Sequence, residues 1–159
     1  SLIKKDASKK IANSAKTWGE AVLTPSLIYS SALLELLGRY GKKRACNIKA
    51  LAHVTGGGIP GNIVRVLGKY GARLDSLPAP HSAMLQLQEM GKVTDREAYE
   101  VWNMGVGMII VSNEFSKITA ALKKHSIEAQ IIGEVTREAG VKLTSQGFFN
   151  KGKVLKFEG

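Results

Sequence analysis

Between lysines in the first fifteen residues, Leu2, Ile3, Ile11 and Ala12 recur at helical spacing, which predicts a helix over 2–15 with a looser exit over 13–19. Leu23-Thr24-Pro25-Ser26 either opens a helix, with Thr as cap and Pro in its first turn, or leads into an extended 27–29. The pattern over 31–40 is helical and stops at Gly38 and Gly41. Residues 48–54 read as a buried strand, Thr55-Gly56-Gly57-Gly58 as a turn, and 60–67 as a helix stopped by Gly68. A short strand over 72–74 follows, ending at Asp75. After Pro78 and Pro80, Met84, Leu85, Leu87 and Met90 mark a helix closed by Gly91. Thr94 and Glu97 form a capping box for a helix reaching Trp102.

Residues 103–111 read as a turn feeding a buried strand. Ser112 or Asn113 caps the next helix, with Phe115, Ile118, Ala121 and Leu122 on its apolar face and Lys123, Lys124 and His125 at its carbonyl end. Strands over 129–135, 141–143 and 154–157 complete the chain, the last two joined by a turn at Asn150-Lys151-Gly152. Helices alternate with strands and a hairpin comes late. The expected fold is layered α/β (α+β), a mixed sheet covered by helices, in one domain over 1–159 and without an internal repeat.

At 159 residues and 44% hydrophobic, the chain can bury a core, which excludes a disordered or low-complexity protein. No apolar run approaches the roughly 20 residues of a membrane-spanning helix. Lys4, Lys5, Asp6, Lys9 and Lys10 leave no signal-peptide core at the amino end. One cysteine, Cys46, excludes an internal disulfide framework and a multi-cysteine zinc site, so a reducing cytoplasm is the expected compartment.

The net charge of +10 divides unevenly. Residues 1–50 hold ten basic and three acidic side chains, 51–100 five and five, and 101–159 eight and five. Neither Lys4, Lys5, Lys9, Lys10 and Lys16 nor the cluster Lys42, Lys43 and Arg44 has interleaved aromatics for base stacking. Nucleic acid is therefore not the expected partner. The surplus reads as a solvated surface, or as a field that attracts a small anionic substrate.

Gly56, Gly58 and Gly61 satisfy G-x-G-x-x-G between a strand and a helix, with Asp75 nineteen positions after the first glycine. That is the spacing of a dinucleotide-binding turn, in which Asp75 would hold a ribose hydroxyl. Polar His53 and Thr55, three consecutive glycines and the short chain weigh against it, and the absence of Gly-Lys-Ser/Thr excludes a Walker A loop. Two readings stay open: glycine N–H groups converging on an anion at a helix start, or a tight turn with no ligand.

Ala52-His53-Val54-Thr55-Gly56-Gly57-Gly58-Ile59-Pro60-Gly61-Asn62 closely resembles the A-H-[IV]-T-G-G-G-x-x-x-N segment of the aminoimidazole ribonucleotide synthetases, the phosphoribosylformylglycinamidine cyclo-ligases of purine synthesis. Asn103-Met104-Gly105-Val106-Gly107-Met108 is similar to that family's N-[MC]-G-V-G-M. Ile132-Gly133-Glu134-Val135 resembles its I-G-E-V strand, and 23–29 its L-x-P-T-[RK]-I-Y. These four motifs, in order, all belong to the carboxyl-terminal domain, and residues 1–5 look like the helix that follows the interdomain junction. Selenophosphate synthetase, the hydrogenase maturation factor and thiamine monophosphate kinase share the layout with other glycine signatures.

The resemblance implies that an amino-terminal domain supplies the ATP and magnesium site and, as a rule, the dimer interface, so this piece alone is expected to be inactive. It implies ATP-dependent ring closure of formylglycinamidine ribonucleotide. His53 would then assist proton transfer, and Thr55, Gly56, Gly57, Gly58 and Asn62 would contact anion and substrate. Asn103 and Gly105 would line the same cleft, and no metal ligand is expected on this chain. His81 and His125 read as structural or surface residues. Leu27 departs from the family's Arg or Lys, and 140–159 matches no motif: it is a terminal hairpin on the sheet or a patch facing the other domain.

Overall fold

A computed structural model describes residues 7–12, 14–39 and 41–158. Its elements in chain order are α1 (Trp18–Val22), α2 (Ser30–Leu37), β1 (Ile48–His53), α3 (Gly58–Leu67), β2 (Gly71–Leu74), α4 (Ser82–Gly91), α5 (Asp95–Val101), β3 (Met108–Ser112), α6 (Phe115–Lys124), β4 (Glu134–Thr136), β5 (Gly140–Thr144) and β6 (Val154–Phe157). The α/β class expected from the periodicity is the one observed. The strands form two sheets: an antiparallel β1-β3 ribbon, and a four-stranded mixed sheet in the order β4-β2-β5-β6, where β2 and β5 run parallel. The expected terminal hairpin is the antiparallel β5-β6 pair.

Two cores sit on opposite faces of the ribbon. Ala52 and Ile109, paired across it, join Ile59 and Ile63 of α3, Tyr99 of α5, and Ala72, Leu74, Val141 and Leu143 of the mixed sheet. Leu51 and Ile110, the next pair, pack instead against Leu36 of α2 and Ile118 and Leu122 of α6. Alternation along a strand is what divides them. A register irregularity between Ile48 and Ala50 lets Ile48, three residues from Leu51, serve the same second core.

Three expectations need correction. The helix over 2–15 is not found where it can be seen; residues 1–6 and 13 lie outside the described set, as does Tyr40 at the end of the second predicted helix. Over 7–11 the backbone pairs with 16–19 instead: Gly19 donates to Ala7, Trp18 to Lys9 and Ile11 to Lys16 at 2.8–3.0 Å, taking the groups a helix would have used. The helix begins at Trp18, behind a capping box in which Thr17 Oγ1 accepts from the Glu20 N–H and Glu20 Oε2 from the Thr17 N–H. The strand over 129–135 shrinks to Glu134–Thr136, because its ladder with β2 ends at Arg73↔Glu134. There Gly133 presses on the Arg73 carbonyl so closely that a Cβ would lie 1.9 Å from it. On α6, Ile118, Ala121 and Leu122 are buried as expected, whereas Phe115 at its first turn is exposed, and the cap is Glu114 without a side-chain bond rather than Ser112 or Asn113, Ser112 accepting instead from the Glu114 N–H.

Candidate functional site

Three of the motif-bearing segments meet at the carboxyl end of β1. The ribbon register sets His53 opposite Met108, and the Val54 N–H donates to the Gly107 carbonyl at 2.9 Å, fastening the exit of β1 to the turn before β3. Tyr29, the last residue of the 23–29 segment, lays its ring edge-to-face against the exposed His53 imidazole, with centroids 6.3 Å apart and planes at 68°. Its hydroxyl lies over Gly107, where a Cβ would come within 2.1 Å of it.

Beyond His53 the chain turns through Gly57 (φ 92°) and Gly58 (φ 58°) into α3. Gly58 is glycine for two reasons. Its left-handed backbone disfavours a side chain, and a Cβ would stand 1.8 Å from the Tyr99 carbonyl oxygen and 3.0 Å from that of Trp102 at the end of α5. Asn62, one turn into α3 and buried, braces the turn from within: its Nδ2 donates to the carbonyls of Gly58 (2.7 Å), Gly56 (3.2 Å) and Thr55 (3.4 Å). The Gly58 N–H is likewise used internally, on Thr55. The N–H groups of Gly56 and Gly57 find no acceptor among the described residues.

The second turn is held by its own first residue. Asn103 Oδ1 accepts from the Gly105 N–H at 3.1 Å, and the Val106 N–H donates to the Asn103 carbonyl. Met104 and Gly105 both have positive φ, 46° and 88°, and the Met104 side chain is buried in the first core. At the junction of the two turns stands Tyr99, whose burial pushes its phenol up while its hydroxyl accepts from the Gln146 N–H.

Two cavities flank this region. The larger, about 590 Å³, runs from Tyr29, Gly105 and Gly107 along the edge of β3 that no strand of the described residues pairs, to the segment 127–135 opposite. Its size is that of a small-molecule site. The smaller, about 450 Å³, lies between Gly57 and Gly61 on one side and Arg96, Glu100 and Lys156 on the other. Of the residues singled out in the sequence, Gly105 lines the first and Gly57 and Gly61 the second; His53, Thr55, Gly56, Gly58, Asn62 and Asn103 line neither. Tyr29 and Gly107 lay inside the quoted motifs, yet only their contact in space marks them. Leu27, the departure from the family pattern, lines the larger cavity and is 59% exposed.

The dinucleotide reading does not survive the topology. It needs β1 and β2 as parallel neighbours, but β1 pairs antiparallel with β3 and β2 belongs to the other sheet. Asp75 is half-exposed and pairs with Arg73 at 3.5 Å.

Residues 2–146 match the family described as AIR synthase related protein, C-terminal domain. Among curated proteins, the chain is 36% identical over 146 residues to a phosphoribosylformylglycinamidine cyclo-ligase of Sorangium cellulosum, covering 89% of this chain and 41% of that one. It is 32% identical over 136 residues to the enzyme of that name in Methanocaldococcus jannaschii (84% and 37%), and 36% over 127 residues to that of Bacillus cytotoxicus (77% and 35%). The chain thus spans about two fifths of the length of these relatives. By its matched residues, the chain belongs to the AIR synthase related family, as a C-terminal domain of it.

Proposed function

We propose that this chain is the substrate-side domain, 1–159, of a phosphoribosylformylglycinamidine cyclo-ligase, and that an amino-terminal domain completes its cleft. The observation that carries the reading is the convergence of Tyr29, His53 and Gly107, from three separate motif segments, at one point beside an open cavity. In this reading the formyl-derived oxygen of formylglycinamidine ribonucleotide takes the γ-phosphoryl group of ATP, and ADP leaves as the anhydride bond breaks. An amidine nitrogen then attacks that carbon, the five-membered ring closes, and phosphate leaves.

His53 takes the proton that the attacking nitrogen sheds; its exposed ring at the end of a rigid strand suits proton exchange. The free N–H groups of Gly56 and Gly57 receive anionic oxygen, with Thr55 beside them. Asn62 and Gly58 keep that turn in shape, and Asn103 fixes Gly105 at the cavity wall. Among the described residues no group of three or more His, Cys, Asp or Glu could hold a metal ion, and no step here is routed through one. ATP, magnesium and the homodimer contact are assigned to the amino-terminal domain. No helix of the described residues is long and apolar enough to cross a membrane, and Cys46 is free and buried.

The test grafts this chain onto the amino-terminal domain of the Methanocaldococcus jannaschii relative. The graft should form aminoimidazole ribonucleotide with ATP, and His53→Ala should lower its kcat/KM about 100-fold. A change of only a few fold overturns the role of His53. Cyclisation by the chain without the added domain overturns the division of labour.

A further inference from the structure

We propose that Tyr29 is a ligand-contacting residue of the His53 site, that its phenol hydroxyl is the group that meets the ligand, and that residue 107 is glycine to leave it room. The assignment rests on the cyclo-ligase reading for its ligand class, a phosphorylated ribose. It rests on geometry for the residue itself.

Tyr29 is held in place more firmly than the chain before it. Leu23, Leu27 and Ile28 are exposed, Ile28 to 78%, whereas Tyr29 is half-buried against the second core. Its ring meets His53 and it also lines the 590 Å³ cavity, so it joins the two. Its hydroxyl makes no hydrogen bond to any described residue. Yet no buried side-chain nitrogen or oxygen among those residues lacks a partner, which means that this hydroxyl is reached from outside the protein. A Cβ on residue 107 would come within 2.1 Å of this hydroxyl, so glycine there leaves the phenol its present place beside the cavity. A phenol O–H here can donate to a ribose oxygen lying in the cavity, with the His53 ring alongside.

The experiment titrates the 159-residue chain with ribose 5-phosphate, following heat and the NMR resonances of the His53 ring. Tyr29→Phe should leave the His53 resonances of the free protein in place and weaken binding five- to tenfold, the loss of one hydrogen bond. Gly107→Ala displaces the phenol, so it should move the His53 resonances through the lost ring current and weaken binding at least as much. Wild-type affinity in Tyr29→Phe overturns the assignment, as does failure of the wild-type chain to bind ribose 5-phosphate. His53 resonances that stay put in Tyr29→Leu overturn the geometry on which it stands. The two proposals fail separately. Unchanged binding in Tyr29→Phe alongside a graft that cyclises sinks only the role of Tyr29; Tyr29-dependent binding alongside a graft that never cyclises sinks only the cyclo-ligase reading.

Discussion

The two ends of α5 carry two polar loops that handle their hydrogen-bonding groups in opposite ways. At its amino end Asp95, fully buried, accepts four hydrogen bonds: from Gln88 Nε2 (2.7 Å) and the Phe149 N–H (3.0 Å) on Oδ1, and from Ser145 Oγ (2.5 Å) and the Asn150 N–H (3.0 Å) on Oδ2. Gln88 Oε1 takes the Phe148 N–H, and Gly147 passes so close that a Cβ would lie 2.5 Å from the Asp95 carboxyl carbon. At the carboxyl end the glycine turn packs by Gly58 onto the Tyr99 and Trp102 carbonyls, but leaves the Gly56 and Gly57 N–H groups, His53 and the Tyr29 hydroxyl open. One loop is closed on itself and does structural work. The other is equally constrained in backbone and yet keeps donors free, which is the condition a ligand needs.

The contrast is broken most severely by Asp95→Ala. Four donors would face an empty space, and the chain should lose about 4 kcal/mol in urea unfolding, since each buried unpaired group costs about 1–3 kcal/mol and some regain water. A loss below about 1 kcal/mol would mean that the 145–150 loop is not organised by Asp95. Gly58→Ala follows. Its Cβ meets backbone rather than a side chain that can swing away, and its φ is left-handed, so about 3 kcal/mol is expected by the same measurement. Asn62→Ala should cost less, about 2 kcal/mol, and should also speed amide exchange at Gly58, because the carbonyls it braces are freed.

The smallest effect lies away from α5 and serves as a control. Glu35 of α2 accepts from Lys124 (2.6 Å) and His125 (3.0 Å) at the end of α6. Those two bonds, Lys124 first, hold its carboxyl below the ordinary value of 4.5. The stability this contributes is complete above that value and is lost as pH falls through the lower folded one. Stability curves of wild type and Glu35→Gln should therefore differ above pH 4.5 and converge on further acidification. The pair is solvent-exposed, so the gap should also shrink in high salt. A gap that widens with acid would reverse the assignment.

Much of this architecture could be read from periodicity and punctuation. Apolar positions placed β1, β2 and β3, glycines marked the ends of α2 and α3, and Thr94 placed α5, where its side chain accepts from the Glu97 N–H although the return bond of the expected capping box, from the Thr94 N–H to Glu97, is not made. The failures share a cause, which is that backbone groups were claimed by distant partners. Residues 7–11 have helical spacing but pair with 16–19, and 129–133 has strand composition but runs past the end of a four-residue β2. The site divides the same way. Motif likeness found His53 and both glycine turns, each local in sequence. Tyr29 against Gly107 is a contact across 78 positions, and no spacing rule connects them. Asn62 looked like a substrate contact from its motif, and the structure adds a role that the motif did not show: its Nδ2 braces the turn.

The ribbon has a further consequence for how this chain behaves in the test tube. β3 reads Met-Ile-Ile-Val-Ser and among the described residues pairs on one side only, so its outer edge offers a row of backbone groups flanked by apolar side chains, with no lysine or proline within it. Natural sheets blunt such edges to prevent strand addition between copies. Here the edge borders the same cavity that Tyr29 guards. Concentrated samples of the isolated chain should therefore aggregate from this edge, and whatever fills the cavity would act as a solubility agent as well as a ligand.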